Sequence, residues 1–190
     1  DQVKSLKFAN GCPSVEYNKF QPYSAGGRLA AALSLLEGRS SYSERFKDIA
    51  FNCLLCGSCD VACKVCRYNM EPLAAMRELR FKLVEDGQNL QRHKILIDNL
   101  RREKNMLMAP KENRGEWASR LNVKDLANEK AEVVFHAGCL ISYDENFQSL
   151  ARTTVSLLKR MGIDFGILGE MEHCCGGRAF QMGYRKEFIR

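Results

Sequence analysis

The sequence predicts a helical domain built around cysteine loops, followed by the opening of an α/β unit. Three observations carry this. Five cysteines (Cys53, Cys56, Cys59, Cys63 and Cys66) crowd into the stretch CLLCGSCDVACKVC. The first hundred residues show helical periodicity and no strand pattern. From residue 131 the order becomes strand, helix, strand, with cysteines just beyond each strand.

Taken in order, Gly27 to Glu37 sets Leu29, Ala32, Leu33 and Leu36 on one helical face, and Gly38 stops it. Ser43 is placed to cap a short helix carrying Phe46 and Ile49 into Cys53. Asn69 and Pro72 mark another helix start. It buries Leu73, Met76, Leu79, Phe81 and Leu83 and ends at Gly87. A weaker helix runs from Leu90 to about Arg102, so residues 1–103 form the helical domain. Residues 104–130, with Pro110, Asn113 and Gly115, read as a polar connection in which Trp117 is a packing anchor. No strand is expected before residue 130. Residues 131–190 begin the α/β part. Glu132–His136 is its first strand, short and buried, and Ile163–Leu168 its second. Between them Phe147, Leu150, Ala151, Thr154, Leu157, Leu158 and Met161 form a helical stripe closed by Gly162. Such a βαβ unit has parallel strands, and ligands sit beyond their carboxyl ends. Cys139 and Cys174-Cys175 should therefore converge at one sheet edge.

A chain of 190 residues with 45% hydrophobic and 27% charged residues can bury a core. Its longest apolar stretch, near Leu29–Leu36, is too short to span a bilayer, and no secretory leader is visible. Because the first residue is Asp1, an earlier segment is expected to precede it. Nine clustered cysteines, an odd number, point to metal ligands in a reducing compartment, not to disulfides. The expected location is cytoplasmic, with peripheral membrane attachment only through partners. Much of the net charge of +6 lies in Arg92, Lys94, Arg101, Arg102 and Lys104. This reads as a solvated face, with an acidic protein partner as the alternative. His93, in the same helix, is expected at the surface. Nucleic acid is not an expected partner, because no aromatics interleave with the basic residues.

The C-x2-C-x2-C-x3-C run suits a [4Fe–4S] cluster, and its form is ferredoxin-like. In two-run ferredoxins the first three cysteines hold one cluster and the fourth serves the other. Cys53, Cys56 and Cys59 then need a ligand from elsewhere, and Cys12, followed by Pro13, has the look of that lender. Counting back from Cys12, the earlier run's ligand positions hold Gln2, Ser5 and Phe8, none a thiolate. One cluster is expected, on Cys12, Cys53, Cys56 and Cys59. Cys63 is left without a cluster and precedes Lys64 where a proline would normally stand. The alternatives take Cys63 or Cys66 as fourth ligand, or two clusters using ligands before Asp1. Zinc fits poorly, since it favours two C-x2-C knuckles separated by a longer loop.

Cys139 and the vicinal pair Cys174-Cys175, on the turn of Gly176 and Gly177, form a second constellation. An unstrained disulfide within the pair is difficult, whereas two thiolates can face one metal centre. Buried small hydrophobes are the alternative. His136 and His173 flank these cysteines as candidates for tuning the centre through hydrogen bonds, against a plain packing role. Arg28 and Arg178 are candidates to hydrogen-bond cluster sulfur or a partner's carboxylate, or else surface residues.

The pattern Cys139…Cys174-Cys175-Gly176 resembles the first half of the Cys-Cys-Gly domain. That domain occurs in heterodisulfide reductase catalytic subunits and in iron–sulfur subunits of glycolate and lactate dehydrogenases. Pro22-Tyr-Ser-Ala-Gly-Gly-Arg-Leu29 and the later Leu-Glu-Gly38 are similar to the segment joining the two ferredoxin runs there. The family's repeat continues to a C-x2-C pair that this sequence does not reach, so a piece of a longer protein is expected. The resemblance implies a second iron–sulfur centre with Cys139, Cys174 and Cys175 as ligands. It also implies an electron-transfer subunit working beside other oxidoreductase subunits, such as flavin or metal-cofactor enzymes and ferredoxin-type carriers. The alternatives are a disulfide-reducing catalytic subunit and a structural metal module.

Overall fold

The computed structural model describes residues 11–65 and 69–189. Gln2, Ser5 and Phe8, used in the register count, and Cys66 lie outside the described residues. What is described is mostly helical, with one small parallel sheet. The chain divides into two compact units: one runs to Leu90 and takes in the segment from Arg178, the other is Gln91–Gly177. The division falls inside the stretch that sequence periodicity assigns to the helical domain.

In the first unit, α1 (Pro13–Asn18) opens on extended Cys12 with Pro13 in its first turn, where a missing N–H costs nothing. A 3₁₀ turn, Gln21–Tyr23, leads to Ser24, whose hydroxyl accepts from Gly27 N and starts α2 (Ala25–Leu36). A Cβ on Gly27 would stand 2.6 Å from Pro22 Cα, so only glycine lets the helix leave this turn. Ser43 caps α3 (Glu44–Phe51) by accepting from Phe46 N, as its sequence suggests. α4 (Ser58–Val65) and α5 (Pro72–Glu85) follow. Phe46, Ala50, Leu79 and Leu83 form the core, with Ala31, Ala32 and Leu35 against it. The buried face of α2 is therefore not the expected one: Leu33 and Leu36 are 51% and 73% exposed, while Arg28 is buried. The guanidinium of Arg28 sets the rotation of α2, because its hydrogen bonds are satisfied only inside.

The segment from Arg178 closes on α5. Phe180 packs edge-on to Phe81, with ring centres 5.0 Å apart, and Arg80 donates to Gln181 O. Gly183 has φ +98, and a Cβ there would lie 2.8 Å from the Arg80 carbonyl carbon.

The second unit begins with α6 (Gln91–Glu103), whose Arg92, Lys94, Arg101 and Arg102 are exposed as expected. His93 is half-buried, not exposed. Beyond the 3₁₀ segment Lys111–Ala118 lies β1 (Lys124–Asp125), a strand the sequence does not announce. Two residues are too few to show alternation; what fixes them is pairing with the central strand. β2 (Val133–Val134), α7 (Gly138–Tyr143), α8 (Glu145–Arg160) and β3 (Phe165–Ile167) complete the unit; β2 is shorter than expected and its two valines are exposed, not buried, because it is an edge strand. The order is β1-β3-β2, all parallel, with Lys124 opposite Gly166 and Val133 opposite Phe165. Asp144 caps α8 through Asn146 N. Ala151 and Val155 join Trp117, Ala118, Phe165 and Ile167 in the core. The large members of the expected stripe, Phe147, Leu150, Leu157 and Met161, point outward. Small residues let α8 lie close on the sheet, so its inner face is narrow.

Candidate metal centres

In the first unit, the turn before α1 and the loop between α3 and α4 face one another across a cavity of about 210 Å³. Cys12, Cys53, Cys56 and Cys59 all line it, with Arg28 and Met76; Cys63, half-buried on α4, does not. The loop turns sharply at Leu55 (φ 53) and Gly57 (φ 78), both left-handed, which directs cysteines from both sides of the bend to one hollow. Cys12 Sγ lies 3.8 Å from Tyr23 O, and Cys56 Sγ lies 3.4 Å from Ser58 Oγ. The Ser58 hydroxyl pulls the Cys56 thiol down, whereas burial and then Asp60 push Cys59 up to about 11. Asp60 is itself held by accepting from Leu73 N at 2.7 Å. Among the described residues no three His, Cys, Asp or Glu side chains form a ready site for a single ion. Four thiols spread around a hollow fit a cluster that offers each sulfur a separate iron.

Two buried arginines frame this hollow. Arg28 donates from Nε to Ile49 O (2.7 Å), from Nη2 to Ser14 Oγ (2.7 Å) and from Nη1 to Tyr23 O. Arg80 gathers the carbonyls at the end of α3: Ala50, Phe51 and Cys53. Burial lowers the Arg80 guanidinium from the ordinary arginine range, while the neighbouring Cys53 works against that shift.

In the second unit, the cysteine segments beyond β2 and β3 converge as their placement after parallel strands requires. Cys139 and Cys174 stand close enough that each thiol shifts the ionisation of the other. Cys174 is tied down by its own N–H donating to Lys104 O at 2.8 Å, and Gly176 N approaches its sulfur at 3.5 Å. Cys175 is exposed. Cys139 is the thiolate of the pair. The Cys174 thiol, then Arg114, and then the Met106 N–H hold it down to about 6, against the cost of burial. The neighbouring Cys139 and then burial push Cys174 up.

Arg114 and Glu172 organise this site, and neither stands out in the sequence. Arg114, 1% exposed, places Nη2 3.6 Å from Cys139 Sγ and donates from Nε and Nη2 to Glu172 Oε1 (3.0 and 2.8 Å). Glu172 also accepts from Ala137 N and Gly138 N, both at 2.9 Å, fixing the turn that carries Cys139. His136 Nδ1 lies 3.6 Å from Glu172 Oε2, so it faces the carboxylate; His173 and Arg178 are exposed. The supposed connection supplies the rest. Asn105, fully buried, bonds Ala109 O and Leu107 N with its side chain and shapes the loop that offers Met106 N–H and Lys104 O. Glu172, two residues before the paired cysteines, carries a signal in the sequence as a carboxylate beside candidate ligands. Arg114 in a polar stretch carries no such signal.

Residues 133–190 match the family model described as a cysteine-rich domain, CCG. The chain is 30% identical over 141 residues to one subunit of the dihydromethanophenazine:CoB–CoM heterodisulfide reductase of Methanosarcina mazei, covering 74% of this chain and 32% of that one. It is 27% identical over 135 residues to an EtfAB:quinone oxidoreductase of Syntrophomonas wolfei, covering 67% and 19%. It is 25% identical over 195 residues to an uncharacterized iron–sulfur protein of Methanococcus maripaludis, covering 96% and 38%. The chain thus spans well under half the length of these relatives. No solved structure matches it.

Proposed function

Because the chain is a heterodisulfide reductase-like protein whose residues 133–190 belong to the cysteine-rich domain family, we propose that it is an electron-transfer iron–sulfur subunit of a larger oxidoreductase. Its first unit is the ferredoxin-like part, and Cys12, Cys53, Cys56 and Cys59 hold a [4Fe–4S] cluster there. The gathering of these four thiols around one hollow, with Cys63 outside it, carries the reading. When bound, such a group supplies one-electron transfer at a potential set by its surroundings. The protein's own work is positional: Arg80 fixes the Cys53 carbonyl, Pro13 fixes the entry of Cys12 into α1, and Arg114 with Glu172 keeps Cys139 a thiolate.

Cys139, Cys174 and Cys175 are the ligands this chain offers to a second iron–sulfur centre. Partners are other oxidoreductase subunits in a cytoplasmic complex; among the described residues no helix is long and apolar enough to cross a membrane. Iron and sulfide counts on Cys12→Ser and Cys63→Ser test the first site. Cys12→Ser should lose one cluster's iron and Cys63→Ser none; equal iron in both overturns the assignment. A second reading, two-electron, two-proton reduction of a disulfide, is favoured by Arg114 Nη2, a buried cation 3.6 Å from Cys139 Sγ and so placed to hold a thiolate. Disulfide turnover driven by a reduced dye tests it.

A further inference from the structure

The two buried arginines of the first unit are set apart by what they bond to. Arg28 is 1% exposed and Arg80 6% exposed. Their acceptors are the carbonyls of Tyr23, Ile49, Ala50, Phe51, Cys53 and Gln181 and the hydroxyl of Ser14, all neutral. Among the described residues neither guanidinium has a carboxylate within ion-pair distance. Hydrogen bonds to carbonyls satisfy the N–H groups but leave the charge uncancelled. A buried charge without a counter-charge is strongly unfavourable, and arginine cannot escape by losing its proton. Two such cations in one small unit also repel each other. The shared neighbourhood is the cysteine hollow: Arg28 lines it, and Arg80 holds the Cys53 carbonyl at its edge.

We propose that Arg28 and Arg80 are the built-in counter-charge of the cysteine hollow, so that they stabilise its negatively charged loaded form and favour its gaining an electron. The inference rests on the iron–sulfur reading of that site. Four thiolates bring more negative charge than the small net positive charge of an iron–sulfide core cancels, and each one-electron reduction adds one more negative charge with no bond made or broken. A fixed cation nearby lowers the cost of that added charge by Coulomb attraction, and both guanidiniums are buried, 1% and 6% exposed, so water screens them little. The arrangement also joins two tasks in one side chain. The hydroxyl contact to Ser14 and the carbonyl contacts place α1, α2 and the end of α3, and the charge tunes the hollow those elements form.

The test separates charge from placement. The protein is reconstituted anaerobically with iron and sulfide, and its midpoint potential is read by electron paramagnetic resonance during reductive titration. Arg28→Gln and Arg80→Gln remove the charge while keeping amide donors; Arg28→Lys keeps the charge while losing the fork geometry. Each Gln variant should reduce about tenfold less favourably than wild type, about 59 mV lower for one electron. Arg28→Lys should stay within about threefold, by the same one-electron conversion. Ser14→Asp gives Arg28 an internal carboxylate without removing it. It should lower the potential as Arg28→Gln does, and it should raise the urea midpoint of the metal-free protein. It serves as the reading if a Gln variant fails to fold. Wild-type protein that takes up no iron and sulfide sinks the reading of the site. Loaded wild-type protein whose potential matches that of the Gln and Ser14→Asp variants sinks the counter-charge alone.

Discussion

Each cysteine site is served by buried arginine, but the two are neutralised differently. At Cys139 and Cys174, Arg114 is paired with Glu172, and both are almost fully buried. At the hollow of Cys12, Cys53, Cys56 and Cys59, Arg28 and Arg80 bond only neutral oxygens. In the first arrangement the guanidinium finds its counter-charge within the polypeptide and orients a thiolate, while the carboxylate holds the turn. The second is open and leaves its positive charge for whatever enters. A buried guanidinium therefore has no fixed meaning; its partner decides whether it braces a site or awaits an anion.

The largest effect should come from breaking the closed pair. Glu172→Gln leaves Arg114 buried without its counter-charge and should destabilise the protein by about 3–5 kcal/mol in urea unfolding. The double change Glu172→Gln with Arg114→Met should recover part of that loss, because neither charge is then stranded. A double variant no more stable than the single would show that the turn contacts, not the charge, dominate.

Next comes thiol reactivity in the metal-free protein. Alkylation needs the thiolate. With its thiol at about 6, Cys139 remains reactive as pH falls through 7 and is lost only below about 6. Cys59, at about 11, stays protonated until well above 9. At pH 7 the ratio of their iodoacetamide rates should be on the order of a hundredfold, after allowing for the weaker nucleophilicity of the more acidic thiol. Rates converging at pH 7 would erase this part of the contrast.

A smaller effect is expected at Gly27, which lets α2 start against the Gln21–Tyr23 turn and so delivers Arg28 inward. Gly27→Ala should cost about 1–3 kcal/mol, read as a lower urea midpoint. Smallest are the outward leucines of α2. Leu33→Ser and Leu36→Ser should each change stability by less than about 0.5 kcal/mol; a larger loss would mean that α2 buries the face its periodicity suggests.

Much of the local structure is legible in the sequence because its causes are local. Ser43, Pro72 and the stripe of the long helix after Asp144 each act within a few residues, and α3, α5 and α8 fall where these signals put them. The convergence of Cys139 and Cys174 follows from the geometry of parallel strands. What escapes depends on distant partners. β1 exists because β3 pairs with it. The rotation of α2 is set by carbonyls as far as 21 residues away. Arg114 acts on a carboxylate 58 positions later. Hydrophobic periodicity also misleads on α8, where small residues make the contact and large ones face out.

The closing of the segment after Arg178 onto α5 has a consequence for how the molecule is born. The second unit lies between two parts of the first along the chain, so the ribosome delivers α5 long before Phe180 and Gln181 arrive. At about 5–20 residues per second, the first unit waits on the order of five to twenty seconds as a nascent chain before Arg80 meets its last acceptor. Its completion is thus timed by synthesis of the insert, and loading of the cysteine hollow during translation would take place on a scaffold still missing its final strap.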